Sequence, residues 1–234
     1  MDNRSQTIRA VIFDLDDTLF PERDYVCSGY AAVGEYLREA LGSEERFEAW
    51  LWDRFLAGQS SGAFDALNRQ FKLGLSEERI GRLIATYRQH RPKICPYPDV
   101  RQILARLKKR CRLGLLSDGF LPAQRLKLES LQLERFFDAV VFTEELGREF
   151  WKPSPAGFEK ICQLIDVKGE ACAYVADNVS KDFIAPNRLG WRTIRYLRPG
   201  QIHAEKAAPA EGEPQLTVHT PKSLMDALDC PGPD

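Results

Sequence analysis

The chain has 234 residues, of which 44% are hydrophobic, 29% charged and 10% aromatic, a composition typical of a globular protein with one or two domains. Its 33 Lys and Arg residues nearly balance its 34 Asp and Glu residues, which leaves a formal net charge of −1. These values exclude a disordered, collagen-like or coiled-coil chain. They also argue against a general polyanion binder, so nucleic acid is not expected as a partner.

The sequence predicts neither a membrane helix nor a secreted protein. No segment approaches the roughly 20 consecutive apolar residues of a membrane helix, and residues 2–6 are polar, unlike a secretory signal. The cysteines are far apart and include no C-x-x-C pair, which predicts reduced, mostly buried thiols. They are Cys27, Cys95, Cys111, Cys162, Cys172 and Cys230. We expect a cytoplasmic protein without a membrane partner; the sequence carries no signal of a particular oligomeric state.

The first predicted strand covers residues 10–13, a short apolar run that ends at Asp14. Helical spacing of apolar residues follows as far as residue 91, and Gly- and Ser-rich breaks divide this stretch into about four helices. A proline-rich joint occupies residues 92–98. The pattern predicts a helical domain, residues 21–96, inserted after the first strand.

Strands alternate with helices beyond the joint. The predicted strands cover residues 113–116, 139–142, 171–176, 193–194 and 216–218, with helical segments between most of them and a surface loop at 203–214. Such alternation predicts a parallel sheet covered by helices on both faces. Residues 1–20 and 97–234 are therefore predicted to form one α/β domain around the helical insert.

Polar residues directly after each apolar run are candidate site residues, because ligands of open parallel sheets bind beyond the carboxyl ends of the strands. They are Asp14 and Asp16 after the first strand, Ser117 after the second, Lys152 after the third, and Asp177 and Asp182 after the fourth. Carboxylates this close repel one another and need a cation. Their hard oxygens suit Mg²⁺.

Each of these residues also has an ordinary structural explanation. Asp is common at strand ends because it favours turns and helix N-caps, and Asp182 can support the first turn of a helix. Ser117 with the two residues after it describes a turn, and Lys152 alone describes a solvated lysine. Their order at the ends of separate strands is what favours a functional site.

The same residues carry a resemblance to the haloacid dehalogenase superfamily of phosphohydrolases, which covers residues 8–197. The matching motifs are Asp14-Leu15-Asp16-Asp17-Thr18-Leu19, then Ser117, then Lys152-Pro153, then Asp177-Asn178-Val179-Ser180-Lys181-Asp182. The first motif is highly specific. The resemblance implies an α/β, Rossmannoid core, a parallel sheet flanked by helices on both faces, with an α-helical C1 cap inserted after the first strand.

The resemblance also implies roles for individual residues. Asp14 would be the nucleophile that forms an aspartyl-phosphate, and Asp16 the general acid for the leaving alkoxide and then the base for water. The implied Mg²⁺ ligands are Asp14, Asp16 through its backbone carbonyl, Asp177, and Asp182 directly or through water. The implied phosphate site comprises Ser117, Lys152, the backbone amide of Leu15, and Asp118.

Asp16 separates the branches of the superfamily, because its dehalogenases lack this acid. The resemblance therefore implies a Mg²⁺-dependent phosphomonoester hydrolase. Two alternatives stay open: a phosphosugar mutase that returns the phosphoryl group to the sugar, and a catalytically silent binding module. Two departures from the family pattern affect backbone geometry alone: Ala176 stands where Gly is usual, and Ala185-Pro186 where a pair of small residues is usual.

A C1 cap encloses a small pocket, so the expected substrate is a small phosphorylated metabolite rather than a protein or nucleic acid. Arg23 could contact a second anionic group of the substrate and Tyr25 could stack on a ring, although both also fit an exposed linker. The cap aromatics Trp50, Trp52 and Phe55 equally fit a helical core. The histidines at 90, 203 and 219 have no metal-like spacing and are expected at the surface.

Overall fold

The protein is described by a computed structural model that covers residues 7–228. Its strands are β1 (Ala10–Phe13), β2 (Arg112–Ser117), β3 (Ala139–Phe142), β4 (Cys172–Ala176), β5 (Arg192–Tyr196) and β6 (Leu216–Val218). They form one sheet in the order β3-β2-β1-β4-β5-β6, in which all neighbouring strands are parallel. The predicted α/β class and parallel sheet are confirmed.

The α-helices are α1 (Glu22–Leu41), α2 (Phe47–Leu56), α3 (Ala63–Gln70), α4 (Glu77–Gln89), α5 (Val100–Leu107), α6 (Ala123–Leu131), α7 (Ala156–Ile165), α8 (Ile184–Arg188) and α9 (Pro221–Ala227). Short 3₁₀ turns occupy Glu134–Phe136, Thr143–Glu145, Arg148–Phe150 and Gly169–Ala171. The helices predicted between residues 21 and 91 are α1 to α4.

Strand β1 is buried on both faces of the sheet, which explains its unbroken apolar run. On one face, Ala10 and Ile12 belong to a core with Phe158 and Ile161 of α7. Successive side chains of a strand point to opposite faces, and Phe13 accordingly lines a small cavity with residues of α5 and α9. Helices therefore pack against β1 on both faces of the sheet and fix the position of Asp14, which directly follows the strand.

The described residues form two compact units. One unit contains the sheet and consists of residues 7–22, 95–120 and 131–228. The other consists of residues 23–94 and 121–130, so it includes most of α6. Its helices share an apolar core made of Val26, Tyr30, Val33, Leu37, Phe47, Leu51, Leu67, Ile80 and Leu83. The division into an α/β domain and a C1 cap at residues 21–96 stays a prediction.

The expectation of mostly buried thiols is wrong. Among the five described cysteines, all free, Cys27 and Cys95 are exposed and Cys172 is buried, while Cys111 and Cys162 are half-buried. Cys27 lies in α1 outside the set of buried residues that includes Val26 and Tyr30. Cys230 lies outside the described residues. Between residues 7 and 228, no helix is long and apolar enough to cross a membrane.

Candidate active site

Asp14 lies where β1 ends, at the centre of the carboxyl edge of the sheet. Its backbone N–H donates to the Val175 carbonyl at 2.9 Å, so the pairing with β4 continues through this residue. The chain winds from β1 towards β2 and β3 on one side and returns to β4 on the other. Such a reversal of strand order leaves a crevice in which ligands of open α/β sheets bind.

Lys152 places its ammonium group against Asp14. Its Nζ lies 2.5 Å from Asp14 Oδ1, 2.8 Å from Asp182 Oδ1 and 2.9 Å from the Tyr174 hydroxyl, and its side chain is 1% exposed. Burial lowers the pKa of Lys152, but the carboxylates of Asp14 and Asp182 outweigh burial and raise it well above its usual range. Lys152 is therefore a permanently charged partner of Asp14.

Three buried carboxylates meet beside this lysine. Asp14, Asp177 and Asp182 each offer an oxygen within 4.8 Å of the others. Asp177 Oδ2 has no hydrogen-bond partner among the described residues. Burial and its acidic neighbours raise the pKa of Asp177 well above its usual range, and burial raises the pKa of Asp14 to about 7. A divalent cation with a preference for oxygen would relieve this repulsion, so the donor set fits Mg²⁺.

The turn after β4 orients Asp182 towards Lys152. The backbone N–H of Asn178 donates to Asp182 Oδ2 at 3.0 Å, while the Asn178 carbonyl accepts from the Asp182 N–H at 3.0 Å. Helix α8 begins directly afterwards, and Pro186 occupies its third position, where the missing N–H breaks no intrahelical hydrogen bond. Pro186 therefore does not disturb the hydrogen bonds that orient Asp182.

Asp118 follows the buried Ser117, and its carboxylate accepts hydrogen bonds from three other residues. Its Oδ1 accepts hydrogen bonds from the Thr143 hydroxyl at 2.8 Å and the Lys152 backbone N–H at 3.2 Å, and its Oδ2 accepts one from Lys181 Nζ at 3.0 Å. Burial raises the pKa of Asp118, but Lys152 and Lys181 outweigh burial and lower it. This permanent anion would repel a phosphate. The phosphate-binding role of Asp118 stays a prediction.

Comparison with known proteins agrees with this geometry. Residues 8–190 match the model of the haloacid dehalogenase-like hydrolase family. The chain belongs to this family. The chain is 30% identical to a glyceraldehyde 3-phosphate phosphatase of Methanopyrus kandleri, covering 94% of this chain and 97% of that protein.

Two further matches extend over nearly the whole chain of this hydrolase. Human N-acylneuraminate-9-phosphatase is 27% identical, with 95% of this chain and 96% of that protein covered. The crystal structure of a 2-haloacid dehalogenase from Pseudomonas syringae superposes with a TM-score of 0.65 at 26% identity, covering 94% of this chain and 98% of that one. The haloacid dehalogenase-like fold expected from the four motifs is confirmed.

The first motif of the hydrolase is tied to the loop after β5 through Asp17. Asp17 has a positive φ of 53°, which Asp tolerates better than most residues. Its carboxylate accepts from the backbone N–H groups of Glu22 at 2.8 Å and Ile202 at 2.6 Å. The Gln201 side chain donates to the Asp17 carbonyl at 2.7 Å. These bonds hold the turn that carries Asp16.

The loop after β5 also brings His203 near the acidic residue Glu22, whereas the sequence predicts this histidine at the surface. Its Nε2 lies 4.0 Å from Glu22 Oε2, and its side chain is 24% exposed. Burial, Lys206 and Lys181 lower the pKa of His203 to about 4, so the imidazole is neutral at pH 7. The spacing of residues along the chain cannot predict the position of His203, because the loop that carries it is irregular.

The structure thus brings together most, but not all, of the predicted site residues. Asp14, Lys152, Asp177 and Asp182 are in mutual contact or close to it, and Asp16 contributes negative charge around Asp14. Leu15 is buried directly after Asp14. Arg23 belongs to the other unit, so its contact with substrate stays a prediction. Sequence reasoning missed Tyr174, Thr143 and Lys181, which hold Lys152 and Asp118.

Replacing Tyr174 with phenylalanine tests the support of Lys152. The ring and its packing on Phe158 and Phe183 are kept, whereas the buried ammonium loses one acceptor that water cannot replace. The free energy of unfolding is expected to fall by about 1–3 kcal/mol, measured by urea denaturation. An unchanged midpoint and slope would show that the hydroxyl does not support Lys152.

Proposed function

We propose that this hydrolase is a Mg²⁺-dependent phosphatase that acts on a small phosphorylated metabolite through an aspartyl-phosphate on Asp14. The observation that carries the proposal is the buried contact of Lys152 with Asp14 and Asp182, beside an Asp177 oxygen that has no hydrogen-bond partner within residues 7–228. The names of the relatives, phosphatases of glyceraldehyde 3-phosphate and N-acylneuraminate 9-phosphate, support the small substrate. The cytoplasmic location stays a prediction.

In the first half of the reaction, an Asp14 carboxylate oxygen attacks the phosphorus and the bond to the leaving oxygen breaks. Asp16 donates its proton to that oxygen, which departs as an alcohol. Lys152, already charged and held by three oxygens, keeps Asp14 oriented and offsets negative charge during attack. Ser117 and the backbone amide of Leu15 contact the phosphoryl oxygens.

In the second half, Asp16 accepts a proton from water, whose oxygen attacks the same phosphorus. The bond from phosphorus to Asp14 breaks, so inorganic phosphate leaves and the carboxylate is restored. Asp14, Asp177, Asp182 and the Asp16 carbonyl would hold Mg²⁺, which when bound supplies positive charge that lets two anions approach. The raised pKa values of Asp14 and Asp177 without a cation support this assignment.

Phosphate release from a panel of small phosphomonoesters tests the proposal. The panel includes glyceraldehyde 3-phosphate, N-acylneuraminate 9-phosphate, other sugar phosphates and nucleoside monophosphates. Activity is expected with Mg²⁺, to be lost with EDTA, and to return when Mg²⁺ is added in excess. Release that is insensitive to EDTA would contradict the Mg²⁺ requirement, and no release from any ester would contradict the phosphatase.

A dehalogenase is the second candidate, favoured by the structural match to the Pseudomonas enzyme. Asp16 argues against it, because the resemblance assigns this acid to the phosphatase branch. Halide release from 2-chloropropionate, measured beside phosphate release, separates the two chemistries. We expect phosphate alone.

A further inference from the structure

Lys152 can offer a substrate one N–H donor at most. An ammonium group has three N–H donors, and Nζ of Lys152 donates to Asp14 Oδ1 at 2.5 Å and to the Tyr174 hydroxyl at 2.9 Å, while Asp182 Oδ1, 2.8 Å away, accepts no hydrogen bond from residues 7–228. With 1% of its side chain exposed, it cannot turn towards solvent. A second positive group beside it would supply further donors to the several oxygens of an incoming phosphate.

Lys181 is such a group and lies on the turn between β4 and α8. Its side chain is 35% exposed, and its Nζ donates to Asp118 Oδ2 at 3.0 Å. The Lys181 side chain makes no other hydrogen bond within residues 7–228. Lys181 directly precedes Asp182, whose carboxylate lies within 4.8 Å of that of Asp14, so it is an accessible cation at the edge of this acidic cluster.

We propose that Lys181 binds the phosphoryl group of the substrate beside Asp14, and that Asp118 is the positioning residue that holds Lys181 there. The inference rests on the proposed phosphatase function and adds a binding residue to it. Asp118 is suited to this task because its other oxygen already accepts from the Lys152 backbone and Thr143. One carboxylate therefore fixes both lysines relative to each other.

The charge of the site explains why a second lysine is needed. The carboxylates of Asp14, Asp118, Asp177 and Asp182 outnumber the ammonium groups of Lys152 and Lys181. A phosphomonoester brings a further charge of about −2 at neutral pH. Even with a divalent cation bound, the loss of Lys181 would leave excess negative charge where the dianion must bind, and such charges interact strongly in a buried site.

Binding of inorganic phosphate in the presence of Mg²⁺, measured by isothermal titration calorimetry, tests the inference independently of turnover. Lys181→Met is expected to raise Kd about tenfold, the value of one charge-assisted hydrogen bond. Lys181→Arg keeps the charge and should restore binding to within about threefold of the wild type. Lys160→Met is the matched control, because Lys160 is exposed on α7; it should bind as the wild type does.

Asp118→Asn tests the positioning role. Asparagine can keep an oxygen towards Thr143 and the Lys152 backbone, but its NH₂ group then faces the Lys181 ammonium and cannot accept from it. We expect Kd for phosphate to rise, and the double variant with Lys181→Met to bind no more weakly than Lys181→Met alone. Additive losses would overturn the positioning role of Asp118.

The outcomes separate the inference from the proposed function. Unchanged phosphate binding in folded Lys181→Met, verified by circular dichroism, would overturn the inference even if the wild type hydrolyses phosphomonoesters. A raised KM with unchanged phosphate affinity would also overturn it, since Lys181 would then contact another part of the substrate. Conversely, Lys181-dependent phosphate binding by a wild type that hydrolyses no ester would support the inference and contradict the phosphatase function.

Discussion

Asp14→Asn is expected to lower kcat for phosphate release by about 10³-fold or more, because an amide is a very poor nucleophile towards phosphorus. Asparagine matches aspartate in shape and can keep an oxygen towards Lys152, which now lies 2.5 Å away. The substitution therefore removes the chemistry with little change of packing. Initial rates at saturating substrate and Mg²⁺, measured with coupled phosphate detection, give the ratio directly.

Two measurements make the Asp14 result specific. Asp53→Asn changes an exposed aspartate of α2 and should leave kcat within about twofold, which excludes a general effect of the substitution type. Mass spectrometry after rapid acid quench should detect a mass increase of one phosphoryl group on the wild type and none on Asp14→Asn. A rate near that of the wild type would show that Asp14 is not the nucleophile.

The strands could be predicted because parallel strands buried on both faces read as continuous apolar runs. Strand β5 is the exception in its extent: residues 193–194 were predicted, whereas the strand is Arg192–Tyr196. Its polar residue Arg195 donates to the Asp177 carbonyl at 3.0 Å and to two carbonyls of the following loop. An arginine with a structural task inside the sheet breaks the apolar pattern that marks a buried strand.

The acidic residues of the site could be predicted for a similar reason, since the ends of parallel strands meet at one edge whatever the details of packing. The side chains that make hydrogen bonds to those residues depend on the register in which the strands pair and on contacts between distant parts of the chain. Tyr174 reaches Lys152 because the sheet register pairs Tyr174 of β4 with Ile12 of β1. The segment after β3 then brings Lys152 within hydrogen-bond distance of the Tyr174 hydroxyl. Lys181 reaches Asp118 across 63 positions of sequence. No local pattern encodes contacts of this kind.

Asp118 has contacts within the protein that its motif does not reveal. The resemblance implies a phosphate-binding role for Asp118, which stays a prediction, and both oxygens of its carboxylate accept hydrogen bonds from the protein itself. The position of His203 is likewise not predictable from a local pattern. Its loop is irregular and is held by hydrogen bonds to Asp17 and Arg195. Side chains in such places are assigned by three-dimensional contacts alone.

Asp16→Asn is expected to lower kcat for an alkyl phosphomonoester by about 10³-fold, within the range of general acid–base catalysis. The leaving alkoxide would then receive no proton in the first half of the reaction, and water would lose its base in the second. Asp14 and Lys152 stay in place, so phosphate binding in the presence of Mg²⁺ should change by less than about threefold. Stopped-flow phosphate detection and titration calorimetry measure the two quantities.

The leaving group identifies which half of the reaction Asp16 serves. p-Nitrophenyl phosphate releases a stable phenolate that needs no proton, so Asp16→Asn should form the aspartyl-phosphate from it far faster than from an alkyl ester. Hydrolysis of that intermediate still needs the base, and a burst of nitrophenolate equal to the enzyme concentration should precede slow turnover. Equal losses for both esters, with no burst, would remove the acid role from Asp16 and transfer it to another proton donor.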